Sequence, residues 1–122
     1  MSLNNKTVEI KIQRNKIFQA PAESRKRYII YKGSAGSGKS TDIAMEFIKR
    51  LSDERFTGSN LLCIRKVGES NRDSTFAELK KAINARYGEY AEHVWDIPTG
   101  RSCSLYLKNK ITGAEVLFRG CN

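Results

Sequence analysis

The apolar positions of this chain change their spacing along its length, and each change predicts an element. Residues 8–12, Val-Glu-Ile-Lys-Ile, alternate strictly and predict a half-exposed strand with Val8, Ile10 and Ile12 inward. The stretch from Phe18 to Arg27 holds Pro21 and many charges, and reads as a loop. It leads into Tyr28-Ile29-Ile30-Tyr31, a β-branched and aromatic run that predicts a short buried strand. From Lys39 to Asp53 the spacing becomes helical, with Ile43, Phe47 and Leu51 recurring beside Ala44 and Ile48. Residues 56–60, Phe-Thr-Gly-Ser-Asn, are turn formers. Leu61-Leu62-Cys63-Ile64 is continuously apolar, the mark of a strand covered on both faces of a parallel sheet. The two strands, joined through the helix, predict a right-handed βαβ unit.

Arg65, Lys66 and Val67 leave the second strand at its C-terminal end. Ligands bind at that edge in open α/β sheets, so Arg65 and Lys66 are candidate functional residues. Residues 68–72 form a polar turn, and Asp73 or Ser74 caps a second helix with the stripe Phe76, Leu79, Ile83 and Tyr87. Gly88 stands in the position that ends such a helix. A loop through His93, Trp95 and Pro98 follows. Residues 103–107 and 115–119 alternate as strands around the polar turn 109–113, which predicts a hairpin. The chain shows no internal repeat, low-complexity tract or second domain.

Candidate chemistry sits between the first strand and the first helix. Gly33-Ser34-Ala35-Gly36-Ser37-Gly38-Lys39-Ser40 fits G-x-x-x-x-G-K-[ST], the phosphate-binding loop. A chance match in a chain this long has a probability of roughly half a percent. The glycines permit torsions that a Cβ forbids, so successive N–H groups can turn inward around phosphate oxygens. Lys39 carries an ammonium toward β- and γ-phosphates, and the Ser40 hydroxyl suits Mg²⁺. The following helix, with Thr41 in its first turn, points its positive end at the same anion. The expected ligands are ATP and Mg²⁺. Phe18, Gln19 and Tyr28 are candidate adenine contacts, with core packing as the alternative reading for them.

Composition adds a second partner. The chain has 22 basic and 13 acidic residues and a net charge of +9, with a pI near 9.7. That balance favours a polyanion beyond the nucleotide, unless the charges merely solvate the surface. Basic residues cluster at 11–16, at Arg25-Lys26-Arg27 and at Lys80-Lys81, without an aromatic-interleaved nucleic-acid motif. Cys63, Cys103 and Cys121 lack C-x-x-C spacing and read as reduced thiols, at least two of them in strands. Zinc binding with His93 is disfavoured. No apolar run approaches the ~20 residues that span a bilayer, and the polar N-terminus is no signal peptide. A protein of the cytoplasm, with no membrane partner, is expected.

The segment from Tyr28 through the phosphate loop to Ser40 resembles the start of the ATPase domain in tailed-phage terminase large subunits. Leu61 through Val67, then Arg72-Asp-Ser-Thr-Phe-Ala-Glu-Leu-Lys-Lys-Ala-Ile83, is similar to the strand and helix that come next in that family. Glu115 through Gly120 resembles its F-R-G strand and adds Arg119 as a candidate functional residue. The resemblance covers roughly residues 28 to 120. It implies residues 1–27 as a lead-in and 28–122 as the N-terminal portion of the ATPase domain. The implied fold is α/β: a P-loop NTPase-type three-layer arrangement with a mainly parallel sheet, incomplete here, plus an antiparallel hairpin near the C-terminus. The implied activity is a motor that drives double-stranded viral DNA into a procapsid, with a portal protein and a terminase small subunit as partners.

The departures carry expectations of their own. Ala35 stands where many family members place an arginine that acts on transition-state charge. Residues 1–122 hold no apolar strand followed by Asp-Glu, since Asp53-Glu54 follows a helical segment, and no nuclease domain. The expectation is nucleotide binding with little turnover by this chain alone, and self-association through exposed strand edges. A helicase- or recombinase-like ATPase fragment, or a non-catalytic nucleotide-binding phage remnant, are the alternatives.

Overall fold

The computed structural model describes residues 16–33, 38–66, 72–99 and 105–121. The strand expected at residues 8–12, the turn at 68–71 and Cys103 lie outside them. A 3₁₀ turn, Lys16–Phe18, leads into α1 (Gln19–Glu23), then come α2 (Lys39–Leu51), a 3₁₀ turn (Glu54–Phe56) and β1 (Leu61–Arg65). A π-helical turn, Arg72–Phe76, enters α3 (Ala77–Tyr87), and a 3₁₀ turn (Gly88–Tyr90) links it to α4 (Ala91–Val94). The strands β2 (Trp95–Asp96), β3 (Tyr106–Asn109) and β4 (Glu115–Gly120) complete the order.

The sheet is mixed, in the order β1-β4-β3-β2. β1 runs parallel to β4, with Cys63 opposite Phe118, while β3 pairs antiparallel with both β4 and β2. One parallel and two antiparallel pairs join the described strands, and the antiparallel pair β3–β4 is the hairpin expected near the C-terminus. The core fills the space between one sheet face and the helices. It gathers Ala44, Ile48 and Leu51 of α2, Leu79, Ala82 and Ile83 of α3, Trp95, Leu107, Val116 and Phe118. Phe76 meets Phe118 edge-to-face at 5.7 Å. Each such fully buried side chain contributes about 1.5–3 kcal/mol over leaving it in water.

The expected helices and hairpin form. The apolar spacing of α3 buries Phe76, Leu79 and Ile83 and half-buries Tyr87. Gly88 ends the helix at φ +55°, a backbone state that side chains disfavour. Helical structure begins already at Arg72, so Asp73 and Ser74 lie inside the π-helical turn instead of capping it from outside. The hairpin turn is held by Asn109, which is buried. Its side-chain oxygen accepts from the backbone N–H of Ile111 and of Thr112, both at 2.9 Å. The Thr112 hydroxyl donates to the Leu51 carbonyl at 2.8 Å and so ties the turn to the end of α2.

Several expectations are corrected. Tyr28-Ile29-Ile30-Tyr31 forms no regular element and joins no ladder among the described residues, and Tyr28 and Ile30 are each 79% exposed. Apolar, β-branched residues favour a strand only where a neighbour supplies hydrogen bonds and a covering face. The βαβ unit that depended on this strand is not formed among the described residues. β1 is covered on one face only: Leu61 and Cys63 pack inward while Leu62 and Ile64, 53% and 56% exposed, face out. The segment 18–27 is no plain loop, since α1 forms within it, docked by Arg50, whose guanidinium donates to the Ala22 carbonyl at 3.3 Å. Finally, His93 is on α4 and Trp95 begins β2, where loop was expected.

Candidate functional site

The loop motif is described at its two ends. Gly33 is exposed, and Ser34, Ala35, Gly36 and Ser37 lie outside the described residues. Gly38 caps α2 at φ +88°. That left-handed torsion is one a Cβ resists, which is the physical reason for glycine here. Its carbonyl accepts from the Asp42 N–H at 3.0 Å, closing the first turn of α2. Lys39 begins the helix, and its ammonium donates to the Gly33 carbonyl at 2.6 Å. The lysine thus spans the loop from its last residues to its first. Ser40 and Thr41 are exposed on the first turn.

Asp42 is the neighbour the sequence reading missed. It is 2% exposed and accepts from the Tyr31 hydroxyl at 3.1 Å. The signal available was a carboxylate in the first turn of an apolar-patterned helix, where the dipole favours it. Phe18 is also buried. It stacks on Tyr31 with centroids 5.7 Å apart and planes 28° apart, and a Cβ on Gly38 would sit 3.5 Å from its ring.

Packing therefore accounts for Phe18. Gln19 is exposed and donates to Glu23 at 3.0 Å. Tyr28 stands out in solvent with the Arg27 guanidinium 5.6 Å from its ring centre. Of the three candidate base contacts, Phe18 is thus buried while Gln19 and Tyr28 face solvent.

A cavity of about 330 Å³ opens beside α2 and along the outer edge of β1. Ser40 and Arg65 line it together with Ser74, Thr75 and Glu78, and Ile43, Phe47 and Cys63 form much of its apolar wall. Arg65 thus shares this cavity with Ser40 of the motif. Lys66 is exposed past the strand end. Arg119 stands opposite Ile64 in the ladder, so by strand alternation it belongs to the outer face, away from Arg65. Burial pushes the Cys63 thiol up to about 11, which keeps it neutral and unreactive at neutral pH. Among the described residues no three His, Cys, Asp or Glu side chains converge on a metal site. Nor is any described helix long and apolar enough to cross a membrane.

The arrangement can hold an anion. Gly38, the lysine and the α2 N-terminus present positive charge and N–H groups on one side. A hydroxyl at Ser40 offers the oxygen donor that a hard cation prefers. The family model described as phage terminase large subunit matches residues 25–122 of the chain. No curated protein and no solved structure matches it.

Proposed function

The chain belongs to the phage terminase large subunit family, and from that premise we propose that it carries the ATP site of a DNA-packaging motor. The observation that carries this reading is the Lys39 ammonium at 2.6 Å from the Gly33 carbonyl. It brings the two ends of the motif together, with Gly38 in a left-handed torsion between lysine and loop. Gly33, Ser34, Ala35, Gly36, Ser37 and Gly38 supply backbone N–H groups to the phosphates in this proposal. Lys39 neutralises the β- and γ-oxygens, and Ser40 with Thr41 continues the cradle on the helix. Ser40 Oγ is the atom that would hold Mg²⁺, which when bound would draw charge from the phosphates.

The finer fold follows the same proposal: α2 and α3 form one helical layer of a three-layer P-loop fold, and the Leu62 and Ile64 face takes the other. The exposed edge of β1 also supports self-association. The test is calorimetric titration with Mg·ATP and with AMP. ATP is expected to bind and AMP to bind far more weakly, because the site is built for β- and γ-phosphates. Equal affinity for the two would remove the phosphate site from the proposal.

Double-stranded DNA is the macromolecular partner we propose, with the portal protein and small subunit implied through the family. Arg25, Lys26 and Arg27 form an exposed basic run, and the net charge is +9. Binding through phosphates releases condensed counterions, so affinity for unrelated duplexes should fall together and steeply with salt. Fluorescence anisotropy from 50 to 200 mM salt, a range in which six to ten phosphate contacts forfeit about 10³–10⁵ in affinity, checks it. A flat response, or strong preference for one duplex, counts against a backbone-reading surface.

A further inference from the structure

We propose that Phe18 and Tyr31 are positioning residues of the phosphate loop, so that nucleotide affinity depends on the lead-in segment ahead of the motif. This rests on the nucleotide reading above. Two contacts bracket the loop. On its entering side, the Tyr31 hydroxyl donates to Asp42 at 3.1 Å, which fastens the segment ahead of the loop to the first turn of α2. On its leaving side, the Phe18 ring lies 3.5 Å from where a Cβ on Gly38 would sit, and the Gly38 torsion of +88° starts the helix. The Phe18 and Tyr31 rings stack on each other, so the two contacts act as one unit. Arg50 holds the far end of this unit through the Ala22 carbonyl.

The consequence is physical. A loop whose ends are fixed before binding loses less conformational freedom when phosphate arrives, and affinity gains by the entropy not lost. Burial gives Asp42 a second part in the device. A carboxylate three residues after Lys39 would repel an anion if it turned toward the loop. The Tyr31 hydroxyl and the 2% exposure of Asp42 hold it in the interior instead. Phe18, at 8% exposure, is spent on packing and has no face left for a base.

The experiment titrates wild type, Phe18→Ala, Phe18→Leu and Tyr31→Phe with Mg·ATP and with magnesium tripolyphosphate, which has no base. Circular dichroism and a thermal melt accompany each variant. Phe18→Ala and Tyr31→Phe should weaken both ligands by the same factor, about threefold to tenfold, the size of one hydrogen bond or packing contact. Phe18→Leu should restore most of the loss, because an apolar side chain again backs Gly38. If Phe18→Ala does not fold, Tyr31→Phe decides, since it keeps the ring and removes one hydroxyl. Loss of ATP affinity with tripolyphosphate unchanged would make Phe18 a base platform and overturn the proposal. Unchanged affinity for both ligands overturns it too, while the nucleotide reading stands. A wild type that binds neither ligand removes that reading and the proposal with it.

Discussion

Replacing Lys39 by alanine is expected to weaken Mg·ATP binding by about tenfold to 150-fold. The substitution removes a charge-assisted contact to the β- and γ-phosphates, worth ~1.5–3 kcal/mol. The same ammonium is bonded to the Gly33 carbonyl at 2.6 Å. That bond is exposed, so its loss should cost the fold little, because water replaces it. Affinity and stability therefore separate: a large change in one, a small change in the other. Lys39→Arg should not rescue fully, since a planar guanidinium is bulkier and differently directed than an ammonium. Calorimetry beside a urea melt reads both quantities. Equal affinities for wild type and Lys39→Ala would sink the site assignment, and a stability loss matching the affinity loss would mean that only folding had been measured.

The left-handed Gly38 and the start of α2 at Lys39 were legible in the sequence because they are local. Glycine torsion, the lysine and the helix start all follow from eight consecutive residues and their immediate neighbours. The same holds for α3, whose apolar spacing and closing Gly88 sit within one element, and for the turn that Asn109 organises. Burial was less legible, because it depends on what lies across from a residue. Tyr28, Ile29 and Ile30 have the composition of a buried strand, yet they are exposed where no described strand pairs with them. Leu62 and Ile64 look the same in sequence as Leu61 and Cys63, but strand alternation turns them to the uncovered face.

The bracket around the loop was illegible for a related reason. Phe18 is twenty residues from Gly38, and Tyr31 is eleven from Asp42. Nothing in the spacing of either pair announces contact. The charged, proline-bearing stretch between Phe18 and Arg27 reads as loop because Pro21 and its charges outweigh a helix of only five residues. Arg65 and Arg119 show the converse: sequence marked both, and the parallel register then set them on opposite faces of adjacent strands.

Trp95→Ala is expected to lower stability by about 3–5 kcal/mol, the usual cost of removing a large aromatic side chain from a core. Trp95 is 1% exposed and belongs to the main apolar cluster with Ile83, Leu107 and Val116. It stands on β2 opposite Asn109, the residue that orders the hairpin turn. Small domains hold about 5–15 kcal/mol in all, so this one substitution removes a large share. Trp95→Phe should cost far less. It keeps an aromatic ring in place and discards an indole N–H that has no hydrogen-bond partner among the described residues. An unpaired buried donor costs ~1–3 kcal/mol, which offsets part of the lost volume. Tyr28→Ala is the internal comparison. Tyr28 is 79% exposed, so its substitution should stay within about 0.5 kcal/mol of wild type. Urea denaturation followed by far-ultraviolet circular dichroism measures all three without using the lost fluorophore. A Trp95→Ala protein within 1 kcal/mol of wild type would place the core elsewhere. A Tyr28→Ala protein as unstable as Trp95→Ala would restore the buried strand that the sequence pattern predicts.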